Sequence, residues 1–294
     1  MRFFLFFLFL FFSTNSIADD SSKAKNNIIT NLTNSISSAL ENAIGGEGDT
    51  EVQITAGEEY HPEYSIMVVR PIVTHPGVDT LFVQLQLNDT KVRGKGRINV
   101  NAGLGYRKLS ENKKSFAGAN TFLDYDEEGN ARVSIGLELR ASAFEAILNA
   151  YQGISGAQTV GSYTERSLDG LEVSVVGEVP FFPWAKVVIN SYEWQAEKNA
   201  TNSQGEKYSL ELTLHPNFIV EGGVNDNNNN GSTNFVKAYM VFPARDRVAA
   251  TTDFVSRSPF SSGDVSGDLL SKVRRSNKQA IESEGTGVVM ARVN

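Results

Sequence analysis

Apolar residues recur at every second position of this chain, in runs long enough to cross a lipid bilayer as strands. Between Arg97 and Arg107, Ile98, Val100, Ala102, Leu104 and Tyr106 fall on one side, and Arg97, Asn99, Asn101, Gly103, Gly105 and Arg107 on the other. A period of two marks a β-strand whose two faces meet different surroundings, because successive side chains leave on opposite sides. The pattern returns where Ala131, Val133, Ile135, Leu137 and Leu139 alternate with Arg132, Ser134, Gly136, Glu138 and Arg140. About twelve such runs lie between Thr50 and Phe242, many of them close to ten residues long. Strands of water-soluble sheets usually span about five or six residues, whereas a tilted strand crossing an outer membrane needs about 9 to 11. Length therefore favours a closed antiparallel barrel with its apolar face toward lipid and its polar face toward a lumen.

The connections point the same way. Those near residues 141–142 and 215–216 are tight, and residues 179–184 form a short link with two prolines, whereas residues 155–167, 197–206 and 225–233 read as long polar loops. Outer-membrane barrels keep periplasmic turns short and let surface loops grow. Residues 108–115 are an exception, long on the short side. Phe181, Phe182 and Trp184 cluster at one turn, with Tyr192 and Trp194 toward the far end of the next strand, as aromatic girdles at the two membrane interfaces would require. An even strand number puts both ends of the barrel in the periplasm.

The chain opens Met1-Arg2 and runs apolar from Phe3 to Phe12, followed by Ser16 and Ala18 at small-residue positions. This reads as a secretory signal peptide over residues 1–18, too short to span a bilayer as a helix. Ile28, Ile29, Leu32, Ile36, Leu40 and Ile44 then recur near every four residues, which predicts a periplasmic amphipathic helix within residues 19–48, stopped by Gly45-Gly46. The barrel is expected over residues 49–243. Residues 244–294 differ in kind: a loop to Gly267, a polar helix over residues 268–284 carrying Lys272, Arg274, Arg275 and Lys278, and a short tail.

Several chemistries are disfavoured. There are no cysteines in 294 residues, so neither disulfides nor thiolate metal sites can form. A formal net charge of −7 argues against nucleic acid as a partner. His61, His75 and His215 sit in predicted turns without ligand-spaced partners, and no nucleophile, base and orienter fall together. Asp124, Asp126 and Glu128 resemble the start of a calcium loop, but the later bidentate Glu is missing and a hairpin turn is the better reading. We expect no enzyme, no cofactor and no metal.

The segments Gly103-Leu-Gly105-Tyr-Arg107, Gly118-Ala-Asn120-Thr-Phe122-Leu-Asp124 and Gly129-Asn-Ala-Arg132-Val-Ser-Ile-Gly136-Leu-Glu138 resemble the central signature of the inverse autotransporter β-domain, the translocator barrel of intimin and invasin. Thr50-Glu-Val-Gln-Ile-Thr-Ala56 and Asp268-Leu-Leu-Ser-Lys-Val-Arg-Arg275 are similar to that family's first strand and post-barrel segment. The resemblance covers roughly residues 50–279. It implies a twelve-stranded barrel in the bacterial outer membrane whose downstream segment threads the pore and carries a C-terminal passenger outward. Here only about ten residues come after the expected pore helix, too few for a passenger domain.

The expected fold is thus an all-β, twelve-stranded antiparallel transmembrane barrel with an N-terminal amphipathic helix and a C-terminal lumenal helix or linker. Arg107, Asn120, Asp124, Arg132 and Glu138 match the signature on the wet face and are expected to form a lumenal network. Lys272, Arg274, Arg275 and Lys278 should face lumenal acids such as Glu138, Glu172 and Glu211. The expected function is a translocator and anchor threading its C-terminal segment for surface display. The alternatives are a structural or adhesive barrel, or a porin gated by its tail. The expected partners are outer-membrane lipid, the barrel-assembly machinery, and a host or neighbouring-cell surface.

Overall fold

The structure is a computed structural model that describes residues 47–57, 62–198, 201–243 and 247–284. The expected signal peptide, all but the last two residues of the expected N-terminal helix, His61 and the last ten residues lie outside the described residues.

Period-two alternation is realised as fifteen strands: β1 (Thr50–Gly57), β2 (Glu63–His75), β3 (Asp79–Val92), β4 (Lys95–Leu109), β5 (Ser115–Asp126), β6 (Ala131–Ala141), β7 (Phe144–Gly153), β8 (Gln158–Val160), β9 (Tyr163–Ser167), β10 (Gly170–Val179), β11 (Phe182–Trp194), β12 (Ser203–His215), β13 (Phe218–Asn227), β14 (Gly231–Phe242) and β15 (Ile281–Glu284). Twelve of them, all but β8, β9 and β15, pair antiparallel in a closed ring that follows chain order, β7 pairing with β10 past the β8–β9 hairpin. The barrel closes where β1 meets β14, from Thr50 opposite Phe242 to Gly57 opposite Phe235. Closure leaves no unpaired edge, which a strand in hydrocarbon cannot tolerate.

The two faces sort as the alternation requires. On β6 the outward Ile135 is 67% exposed while the inward Arg132 is wholly buried. Leu137, Leu139, Leu171, Val187, Leu210 and Val236 continue the outward apolar band. Asn101, Asp124, Glu172 and Asn190 point inward.

Both ends of the barrel chain lie at one rim, called here the near rim, with the links after β2, β4, β6, β10 and β12. The opposite links form the far rim. Length asymmetry is weaker than expected, because strands extend into the predicted loops: β12 starts at Ser203, and β13 and β14 are joined by residues 228–230 alone. The link between β3 and β4 is only Arg93-Gly94, both at positive φ (53° and 74°), as a two-residue hairpin turn of type I′ demands. The predicted loop at 155–167 instead carries the β8–β9 hairpin, which pairs with β15 in a separate three-stranded sheet.

After β14 the chain runs along the near rim as a strap. Arg247 holds Asp49 at 2.9 and 3.0 Å, Trp184 donates its indole N–H to the Phe254 carbonyl at 2.9 Å, and Ser142 donates to the Gly263 carbonyl at 2.8 Å. The chain then turns into the lumen.

Here the expected helix over 268–284 is corrected. Only Ser266–Leu270 is helical, as a 3-10 turn; residues 271–280 are drawn out through the lumen as neither helix nor strand, bending at Arg275 and Lys278, and lead into β15. A helix satisfies its own backbone groups, whereas an extended chain must find partners elsewhere. In this lumen the wall supplies them, so helix formation has no advantage.

Candidate functional site

The lumen and the segment inside it form the site. Arg107 of β4 and Glu138 of β6 pair across β5 near the near rim, with Nε to Oε1 at 2.6 Å. Arg107 then donates to the carbonyls of Leu269 and Ser271 at 2.9 and 2.6 Å. Arg140 also reaches Glu138 at 2.8 Å and donates to the Lys272 carbonyl at 2.7 Å. Deeper in the lumen, Gln84 accepts from the Val273 N–H at 2.8 Å and Asn149 donates to the Arg274 carbonyl at 3.0 Å. Toward the far rim Asn101 donates to the Asn277 carbonyl and Arg132 to those of Ser276 and Lys278. The backbone of the segment is thus bonded along the whole depth of the barrel.

Its side chains add charge pairs. Lys272 meets Glu51 of β1 at 2.9 Å and lies 3.8 Å over the Tyr239 ring. Arg274 bridges Glu145 of β7 at 2.8 Å and Glu211 of β12 at 2.9 Å. Arg275 grips Asp124 of β5 at 2.6 and 2.9 Å, and Arg132 holds the same carboxylate at 2.8 Å. Lys278 pairs with Glu63 at the start of β2. Of the three acids expected opposite the tail, only Glu211 binds one of its four cations. Glu138 is committed to wall arginines, and Glu172 accepts from the Ser276 N–H at 2.9 Å and from Tyr151 and Asn190.

The structure brings Arg107 together with Glu138, and Asp124 with Arg132 and Arg275, but leaves Asn120 apart. Asn120 is buried in the wall with neither amide atom hydrogen bonded.

Apolar contacts at the site were not anticipated from the sequence. Leu270 and Val273 pack with Val69, Phe82 and Phe122, Leu269 with Leu109 and Phe116, and Ala280 with Tyr151, Leu168 and Trp194. Trp194 and Tyr192, expected in an interface girdle, are buried at 0% and 3% exposure beside Tyr151. The signal was available in Gly103 and Gly105, on the wet face: a Cβ there would stand 2.2 Å from the Phe122 ring and 2.3 Å from the Phe82 ring. Small residues facing a lumen make room for large ones.

At the near mouth, the Ser266 N–H and hydroxyl bond to Asp264, which lowers the pKa of that carboxyl. At the far mouth Glu165 of β9 binds Arg93 and Arg97 at 2.7 and 2.6 Å, tying the hairpin to the barrel. Asp126, in the stretch that resembles the start of a calcium loop, spends its carboxylate on the N–H groups of Glu128 and Asn130 and on Arg97. His75 bonds Asp79 at 2.6 Å, and His215 accepts from the Asn217 N–H. A cavity of about 140 Å³, reached by Lys207, Glu221 and Lys237, remains beside the segment.

Against known proteins, residues 10–277 match the family model described as inverse autotransporter, beta-domain. A search of curated proteins returned no match. A solved structure reported under "Unveiling the Mechanism Behind the in-meso Crystallization of Membrane Proteins" superposes with a TM-score of 0.67 at 18% identity, over 81% of this chain and 99% of that one. A KdgM porin gives 0.46 at 7% identity over 66% and 99%, and an Escherichia coli outer membrane phospholipase A mutant gives 0.40 at 8% over 68% and 92%.

Proposed function

The chain belongs to the inverse autotransporter β-domain family, and we propose that it works as a translocator and anchor, holding its own C-terminal segment in the pore so that the residues beyond β15 are displayed at the cell surface. It is a bacterial outer-membrane protein with its outward apolar band in lipid. One observation carries the reading. Residues 266–284 run from the rim that holds both barrel ends to the opposite rim, bonded to the wall throughout and ending as a strand on β9. Crossing about 30 Å of hydrocarbon takes about ten extended residues, close to the stretch from Ser271 to Ala280.

On this reading the protein is not an enzyme. Residues 1–18 direct export, residues 19–48 form a periplasmic helix, residues 49–243 the barrel, and residues 244–294 the threading linker. Its partners are the barrel-assembly machinery and a host or neighbouring-cell surface. A cysteine placed at Val289, in a chain without native cysteine, tests it. Labelling by an impermeant maleimide on intact cells is the expected result, and labelling only after the outer membrane is breached overturns it.

The lumenal cavity of about 140 Å³ favours a second reading, a porin gated by its tail. Deleting residues 268–294 should then raise single-channel conductance, and an unchanged conductance counts against a gate.

A further inference from the structure

The four tail cations are not interchangeable, and their spacing is what the lumen measures. Counted from Lys272, they stand at positions 1, 3, 4 and 7 of an extended chain. Each meets a different part of the acidic wall: Lys272 meets Glu51 on β1, Arg274 meets Glu145 and Glu211 on β7 and β12, Arg275 meets Asp124 on β5, and Lys278 meets Glu63 on β2. These acids descend the pore in the same order as the cations ascend the sequence. The neighbours Arg274 and Arg275 reach different parts of the wall, β7 and β12 against β5, and Lys272 and Arg274, two residues apart, reach β1 and β7 on opposite sides of the ring.

A slip of one residue therefore puts Ser271 or Val273 before Glu51, and Asn277 or Gln279 before Glu63. A slip of two puts Val273 or Asn277 before Asp124, and Ser276 or Ala280 before Glu63. It also brings Ser271 or Arg275 to the place of Val273, which is 1% exposed between Phe82 and Phe122. Charge pattern and apolar socket thus agree on a single register.

We propose that the wall carboxylates form a register code that arrests the threading chain at residues 272–278, by recognising a basic extended peptide with this cation spacing. The inference rests on the translocator reading and adds what stops the chain and where. A stretch lacking the pattern offers no cation to Glu51, Glu211 and Glu63, while Asp124 keeps Arg132 and Glu145 keeps Lys186, and it passes on. When the pattern arrives all pairs form together, and β15 is delivered to β9 with Glu284 opposite Thr164.

The test uses the full chain and a disulfide reporter, clean because the protein has no cysteine of its own. Thr164→Cys with Glu284→Cys reports the native register, and Thr164→Cys with Glu282→Cys or Thr286→Cys reports a slip of two. Lys272→Glu should lower the native crosslink about tenfold and raise the slipped ones, and adding Glu51→Lys should restore it. Lys278→Glu with Glu63→Lys repeats the swap at the far rim, so the code is still tested if one variant fails to show the heat-modifiable mobility of a folded barrel. An unchanged native crosslink in both single variants overturns the proposal, as does a loss that neither swap repairs. The Val289 labelling is scored separately: loss of labelling with the native crosslink intact would refute surface display and leave the register code standing.

Discussion

Arg275 of the lumenal segment and Asp124 of the β5 wall form a two-point ion pair at 2.6 and 2.9 Å, with both side chains at 0% exposure and Arg132 on the same carboxylate. The arrangement is unequal. Removing Asp124 strands two buried guanidinium groups, whereas removing Arg275 leaves Asp124 still paired with Arg132. Breaking a buried pair costs about 3 to 5 kcal/mol when a charge is left uncompensated, and losing one charged hydrogen bond about 1.5 to 3. Asp124→Ala should therefore destabilise the folded barrel more than Arg275→Met. Urea unfolding in detergent micelles measures both, and equal losses would mean the shared carboxylate is not the anchor it resembles.

The lumenal glycines make a sharper contrast. Gly103→Ala and Gly105→Ala would each drive a Cβ into a phenylalanine ring that the segment packs against, at 2.2 and 2.3 Å. Gly222→Ala, on the outward face of β13 opposite Leu210, meets nothing within 4 Å. We expect the first two to cost about 1 to 3 kcal/mol through overpacking and to loosen the segment, and the third to be close to neutral. Protease accessibility of residues 271–280 in outer-membrane preparations, alongside folding yield, separates them. Tolerance at Gly103 together with loss at Gly222 would invert the expectation.

Among the signature residues, Arg107 and Asn120 should part company. Arg107 is wholly buried, bonds Glu138 twice and holds two carbonyls of the segment. Arg107→Ala leaves Glu138 with Arg140 alone and frees those carbonyls, a loss of about 3 kcal/mol or more. Asn120 has no hydrogen bond to lose, so Asn120→Ala should stay within about 1 kcal/mol of the parent. Unfolding midpoints of the two variants decide it, and a large loss at Asn120 would show that the amide is engaged in the membrane-embedded protein.

The barrel was legible in the sequence because period-two alternation reports directly which face is wet. Arg107, Asp124, Arg132 and Glu138 could be placed on that face by counting alone. The partners were not legible, since pairing depends on register between strands far apart in sequence: Glu145 and Glu211, which share Arg274, are brought to one stretch of wall by the pairing of β7, β10, β11 and β12. The expected helix over 268–284 failed for a related reason. Local pattern describes a chain that must satisfy its own backbone, and this one is satisfied by Arg107, Arg132, Arg140 and Asn149 of the wall. Trp194 misled because an aromatic near a strand end reads alike in a girdle and in a lumen, until its side of the strand is known.

The outward face yields the last prediction. Ile135 lies midway along β6 at 67% exposure, flanked by Leu137 at 59%, while the intervening Gly136 and the neighbouring Ser134 look inward. In water an exposed isoleucine contributes little and Ile135→Lys would be harmless or would aid solubility. At mid-depth in a bilayer the same change puts an ammonium group into hydrocarbon, at a cost of about 2 to 4 kcal/mol. Ile135→Lys should therefore destabilise the barrel folded into lipid vesicles, and Phe144→Lys, at the near-rim end of β7, should cost less because its ammonium group lies closer to the interface. Reversible unfolding from vesicles gives both values, and a depth-independent cost would place the lipid band elsewhere on the wall.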